Sequence, residues 1–167
     1  MSETKTLVLN HKQIQQKIVR IAYEIYERNV GETALIFAGL TGMGHVLAGL
    51  IAEKLSEISP IKVDLIAVTL DKSKPKIGEI VLSDKGPFDG KCIIIVDDVL
   101  NTGKTLAYAM IPFLEDNVKQ IEVAVLVNRS HKLFPVSPDY AGFELATTLS
   151  EHITVDLKPE ASTVHLH

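Results

Sequence analysis

At 167 residues, with 46% hydrophobic and 23% charged positions, the chain has the make-up of one globular domain and excludes a disordered or fibrous protein. Only 5% of it is aromatic, so Leu, Ile, Val and Ala have to fill the interior. A formal net charge of −4 excludes a global field driving it onto nucleic acid, though not a local basic face, and the one cysteine, Cys92, excludes an internal disulfide.

Cys92 opens the apolar run to Val96 and reads as inert packing. Residues 1–10 lack the cationic start and apolar middle of a signal peptide, and no apolar stretch approaches the roughly 20 residues that cross a bilayer. A cytoplasmic protein without membrane contact is expected.

Apolar residues at Ile14, Ile18, Ile21, Ala22, Ile25 and Tyr26 predict a one-sided helix over 11–29, with Asn10 as its N-cap and Gly31 as its stop. Residues 33–38 read as a buried strand. A glycine-rich turn follows, Gly39-Leu40-Thr41-Gly42-Met43-Gly44, then a helix from His45 to about Glu57. Residues 61–70 give a second strand. The connection over 71–90 is polar and punctuated by Pro75, Gly78, Gly86 and Pro87, with a short extended piece at 79–82; so long a loop in a compact domain is usually functional or mobile.

Lys91 to Val96 is the most apolar strand, 97–103 a loop, and Lys104 to about Glu115 a helix that Pro112 should kink. Residues 121–127 form another buried strand. Beyond Asn128 the pattern breaks into short pieces around Pro135, Pro138 and Gly142 and ends in an alternating strand at 152–157. Strands that are apolar on both faces and separated by helices predict an α/β fold: a central, mostly parallel sheet flanked by helices, with ligands beyond the strands' carboxyl ends. The expected layout is a single domain, core about 10–128 and cap about 129–160. His165 and His167 read as a solvated tail, and His11 as the exposed start of the first helix.

The chemistry-bearing segment is Ile93-Ile-Ile-Val-Asp97-Asp98-Val-Leu-Asn101-Thr102-Gly103-Lys104-Thr105. The turn from Thr102 to Thr105 offers backbone N–H groups, two hydroxyls and a helix N-terminus, which suit a phosphate monoester. Asp97 and Asp98 are acceptors; they suit two vicinal hydroxyls or a divalent cation. Together these describe a site for ribose 5-phosphate. A Walker A reading fails because Asp98 stands where glycine is required, and the turn 39–45 lacks both the Walker lysine and the third glycine of a dinucleotide fingerprint.

Four apolar residues, two acids, three variable positions and Thr-Gly-x-Thr resemble the fingerprint of the type I phosphoribosyltransferases. The stretches Arg20 to Asn29, Val125 to Pro135 and Asp139 to Gly142 are similar to those of the bacterial pyrimidine-attenuator and uracil phosphoribosyltransferase group. The likeness covers nearly the whole chain and weakens around Gly39 to Leu82. It implies a Rossmann-like phosphoribosyltransferase fold with a C-terminal hood, and transfer of ribose 5-phosphate from phosphoribosyl pyrophosphate to a nucleobase, uracil by this likeness. By the same resemblance Asp97 and Asp98 hold the ribose hydroxyls and a magnesium ion (Mg2+). Asn101, Thr102, Gly103, Lys104 and Thr105 seat the 5-phosphate. Leu40, Thr41, Gly42, Met43 and Gly44 face the pyrophosphate, and Asn128 and Arg129 lie near the base. A homodimer or larger homo-oligomer is implied too.

Three features depart from the pattern. Thr41 to Gly44 carries no cation for the leaving group, so Lys72, Lys74 and Lys76 of the long loop become candidates. The oxopurine enzymes have an aspartate where Asn101 stands; asparagine cannot take a proton, which favours a pyrimidine. Attenuator proteins also bind messenger RNA. His131 and Lys132 would suit that role, but Val19, Tyr23 and Ser137 sit where polar or basic groups are expected, so RNA binding is not favoured. The alternative reading is an RNA-binding transcription attenuator of this group, or a non-catalytic sensor of phosphoribosyl pyrophosphate or nucleotide.

Overall fold

The structure, a computed structural model, describes residues 4–167. Residues 1–3, part of the segment read as lacking a signal, lie outside the described residues. Helix α1 (His11–Arg28) begins in a reciprocal capping box: the Asn10 side chain accepts from Gln13 N at 2.9 Å, and the Gln13 side chain accepts from Asn10 N at 2.9 Å. Its buried face is Ile14, Ile18, Ile21, Ala22 and Ile25, the stripe that the sequence spacing predicts. No described helix is long and apolar enough to cross a membrane.

The main sheet comprises β2 (Ala34–Leu40), β3 (Lys62–Thr69), β4 (Val81–Leu82), β5 (Cys92–Leu100), β6 (Gln120–Arg129) and β7 (Tyr140–Leu145), in the order β4-β3-β2-β5-β6-β7. All neighbours are parallel except β3 with β4. Helices α2 (Met43–Ile58) and α3 (Lys104–Leu114) complete the layers. Alternation along the central strands splits the interior in two. Leu35, Phe37, Ile94 and Val96 pack with α1 and α2, whereas Ile36, Ala38, Ile93 and Ile95 pack with Leu106, Ala109 and Phe113 of α3. Burying each large aliphatic side chain contributes about 1.5–3 kcal/mol, so both layers hold β2 and β5 at the centre.

A smaller antiparallel sheet joins β1 (Thr6–Leu9), β9 (Thr163–Leu166) and β8 (Ile153–Asp156) in the order β1-β9-β8. It forms the cap, and it differs from the sequence expectation in three ways. The N-terminal strand belongs to it. Tyr140 to Leu145 does not, because β7 pairs with β6 and extends the main sheet. His165 lies within β9, and the backbone of His167 exchanges hydrogen bonds with that of His152, so this end is a strand rather than a tail. His11 is half-buried, its Nδ1 accepting from Ser162 N at 3.1 Å.

Two further boundaries move. β5 does not stop at Val96 but continues to Leu100, since Asp97, Val99 and Leu100 remain in register with Val125, Val127 and Asn128 of β6. Helix α2 starts at Met43 instead of His45, so Met43 and Gly44 of the glycine-rich turn belong to its first turn.

Candidate active site

Beyond the central strands lies a cleft lined continuously from Asp97 to Leu106, and also by Lys72 and by Ile153 of the cap. The sheet delivers Asp97 and Asp98 in the last four residues of β5, and the chain then bends through Asn101–Gly103 into α3. Gly103 takes φ 91°, a left-handed conformation that glycine adopts without cost. A side chain there would also press on Phe134 and Val136 at 3.3 Å. The bend is braced by Leu133 N and Phe134 N, which donate to Thr102 O at 2.9 and 3.0 Å. The Thr102 hydroxyl accepts from Lys104 N at 3.3 Å, and Asn101, Thr102, Lys104 and Thr105 all line the cleft.

Asp97 is 3% exposed. Burial first, then the charge of Asp98, pushes its carboxyl up to about 7; Lys72 and the Asp98 N–H pull the other way. Lys72 Nζ reaches both Asp97 oxygens, at 3.3 and 3.4 Å, and Asp98 N donates to Asp97 Oδ1 at 2.9 Å. Of the three lysines singled out in the long loop, Lys72 meets the cleft and Lys76 pairs with Glu79 instead.

Leu40, Thr41, Gly42, Met43 and Gly44 stand beside the cleft rather than on its lining. Leu40 is core, and Thr41 N is bonded to Val68 O at 2.9 Å. Gly44 is the point of contact: a Cβ there would lie 2.9 Å from Asp97 Oδ1. The amino end of α2 therefore abuts the buried carboxylate, with the unpaired N–H groups of a first helical turn beside it. His45, on the same turn, has a buried Nδ1 without a hydrogen-bond partner among the described residues.

Asn128 and Arg129 lie off the lining as well. The Asn128 amide donates to Glu144 Oε2 at 2.7 Å and its oxygen accepts from Lys132. Arg129 spends its donors on Asn101 and on the loop 147–151. Sequence reasoning missed this link and missed Ile153 as a cleft residue; only the alternation over 152–157 hinted that one face of that strand turns inward.

Among the described residues no group of three or more His, Cys, Asp or Glu side chains could hold a metal. The Asp97–Asp98 pair nevertheless fits magnesium, which typically takes one or two carboxylates and fills its remaining positions with water and phosphate oxygens. A carboxylate as buried as Asp97, beside a second acid, is also where added positive charge relieves the most strain.

Known proteins resemble this chain over most of its length. The phosphoribosyl transferase domain family matches residues 6–160. The bifunctional protein PyrR of Deinococcus radiodurans is 34% identical, with 98% of this chain and 93% of that protein aligned. Its namesake in Brevibacillus brevis is also 34% identical, over 92% and 90%. Among solved structures, a hypoxanthine phosphoribosyltransferase of Trypanosoma cruzi superposes with a TM-score of 0.78 at 15% identity, covering 95% of each chain. A hypoxanthine-guanine phosphoribosyltransferase of Bacillus anthracis gives 0.72 at 19% identity, covering 86% of this chain and 84% of that one. At those identities the superpositions show the fold alone.

Proposed function

The chain belongs to the phosphoribosyl transferase domain family, and from that premise we propose that it transfers ribose 5-phosphate from phosphoribosyl pyrophosphate to uracil. The bond between the ribose anomeric carbon and the pyrophosphate oxygen breaks, a ring nitrogen of the base bonds to that carbon, and the proton of that nitrogen is released. The observation that carries the reading is one cleft holding a pair of acids, Asp97 and Asp98, next to a hydroxyl-lined bend at a helix amino end.

The residues divide the work by charge. Asp97 and Asp98 accept from the ribose hydroxyls and offset the positive charge that builds on the sugar in the transition state. The N–H groups of the 102–105 turn and its hydroxyls seat the 5-phosphate. The amino end of α2 and the ammonium of Lys72 meet the leaving pyrophosphate. Asp97 and Asp98 would hold magnesium, which when bound neutralises charge gathering on that leaving group. Fixing donor and acceptor in one cleft supplies the remaining advantage, by orientation.

Asn101 in place of an acid, together with relatives of the PyrR type, favours uracil over an oxopurine. The uncharged turn Thr41–Gly44 favours a regulator, whereas a lysine at the cleft, Lys72, supports the enzyme. A cytoplasmic homo-oligomer is part of the proposal. Incubation with magnesium, phosphoribosyl pyrophosphate and each nucleobase in turn should release pyrophosphate with uracil. Silence with every base removes the proposal, and salt-dependent RNA binding without turnover would favour the regulator instead.

A further inference from the structure

Arg129, a residue only 8% exposed, ends β6. Its donors go to four neutral acceptors: Nε to Thr147 Oγ1 at 2.9 Å, Nη1 to Asn101 Oδ1 at 2.9 Å, and Nη2 to Thr148 O at 3.2 Å and Glu151 O at 2.7 Å. One side chain thus ties the phosphate bend to the loop that leads into the cap. With four bonds to protein acceptors, and off the cleft lining, Arg129 is placed to brace the site rather than to take the base-contacting role that resemblance suggested.

The chemistry of the pair says more. A guanidinium has five N–H donors and no acceptor, so the Asn101 atom facing it has to be the carbonyl oxygen, whichever way the amide is drawn. The Asn101 NH2 group is consequently turned from Arg129, on a side chain that is exposed and lines the cleft. An unheld asparagine could flip and present either donor or acceptor. This one is held.

We propose that Arg129 is a positioning residue that fixes the polarity of Asn101, so that Asn101 offers the acceptor base N–H donors only. The inference rests on the phosphoribosyl-transfer reading and deepens it. The site then takes a base whose facing edge carries a carbonyl oxygen or an unprotonated ring nitrogen, and rejects one presenting an amine or a ring N–H there. Three of the four Arg129 bonds run to the 147–151 loop next to β8, whose Ile153 lines the cleft. The phosphate, by contrast, seats on the amino end of α3 at Lys104 and Thr105. Asn101, which resemblance grouped with the phosphate residues, is tied through Arg129 to the cap loop instead, and the proposal assigns it to the base and not to the phosphate.

The test is calorimetric binding of uridine monophosphate and of ribose 5-phosphate, which differ only by the base. Wild type should bind the nucleotide more tightly. Asn101→Ala should lower affinity for the nucleotide about tenfold, the worth of one good hydrogen bond, and leave ribose 5-phosphate within about twofold. Arg129→Lys keeps the charge but cannot hold Asn101 and the loop together, so it should reproduce the same selective loss; if it fails to fold, Asn101→Ala alone decides. Equal losses for both ligands, or none for either, overturn the proposal. A wild-type protein that binds both ligands equally overturns the proposal alone, and one that binds neither overturns the phosphoribosyl-transfer reading with it.

Discussion

Lys72 Nζ lies 3.3 Å from Oδ1 of Asp97, so the long loop after β3 meets the most buried acid of the cleft. One partner is about half exposed and the other 4% exposed by side chain, so the contact joins a group still in water to one that is not. Lys72→Ala removes the cation that the proposed function assigns to the leaving pyrophosphate. The Michaelis constant for phosphoribosyl pyrophosphate should rise about tenfold with that for the base little changed, as initial-rate kinetics in both substrates would show. A rise confined to the base would place Lys72 elsewhere in the reaction.

Asp97 makes the ligand-free protein sensitive to pH. Its folded value is raised to about 7 from 3.8, so between these pH values the native state keeps a proton that the unfolded chain has lost. The stability this contributes is complete below the unfolded value and lost as pH rises through about 7. Thermal melts should therefore show Tm falling from about pH 5 to 8, and Asp97→Asn should flatten that fall. At pH 8 the variant should gain on the order of 2 kcal/mol, a shift of several degrees, while losing donor binding. Parallel Tm curves for variant and wild type would count against the buried charge as the cause.

How far the sequence anticipates this site depends on how local each signal is. The fingerprint from Ile93 to Thr105 is contiguous: its four apolar residues are core, and its residues from Asp97 onward line one cleft. α1 is legible because Asn10, Gln13 and the buried stripe are local in sequence. β1 and β9 are not, because the chain ends pair across nearly its whole length, and a four-residue strand leaves little periodicity. Gly142 reads as a breaker, yet its missing side chain lets β7 close on β6: a Cβ would sit 2.6 Å from Leu126 O. Arg129 looks like a ligand-facing cation by type and place; only its surroundings show its donors taken.

Gly44 joins the two halves of the site by close approach. An added Cβ would meet Asp97 Oδ1 at 2.9 Å, Val96 O at 3.0 Å and Asp97 Cα at 3.1 Å, and two of these atoms are backbone that cannot swing aside. Gly44→Ala should push α2 off β5, destabilise by about 1–3 kcal/mol and weaken donor binding. Melting curves with and without phosphoribosyl pyrophosphate would show both effects. A variant that melts like wild type and keeps its ligand-induced shift would mean that the two elements have room to spare.

The opposite end of β6 offers a control. Glu122 is buried there, accepting from Tyr140 Oη at 2.9 Å and from Asn29 Nδ2 at 3.2 Å, with Arg28 at 3.6 Å. Burial, followed by the Glu122 contact, raises the Tyr140 phenol above its ordinary value, so it stays a donor across the working pH range. Tyr140→Phe leaves Glu122 short of that donor and should cost about 1–3 kcal/mol, read as a fall in Tm. Because these groups sit at the amino end of the strand and the cleft at its carboxyl end, kcat and both Michaelis constants should remain within about twofold of wild type. A large kinetic change with an unaltered Tm would show that the two ends of β6 are coupled.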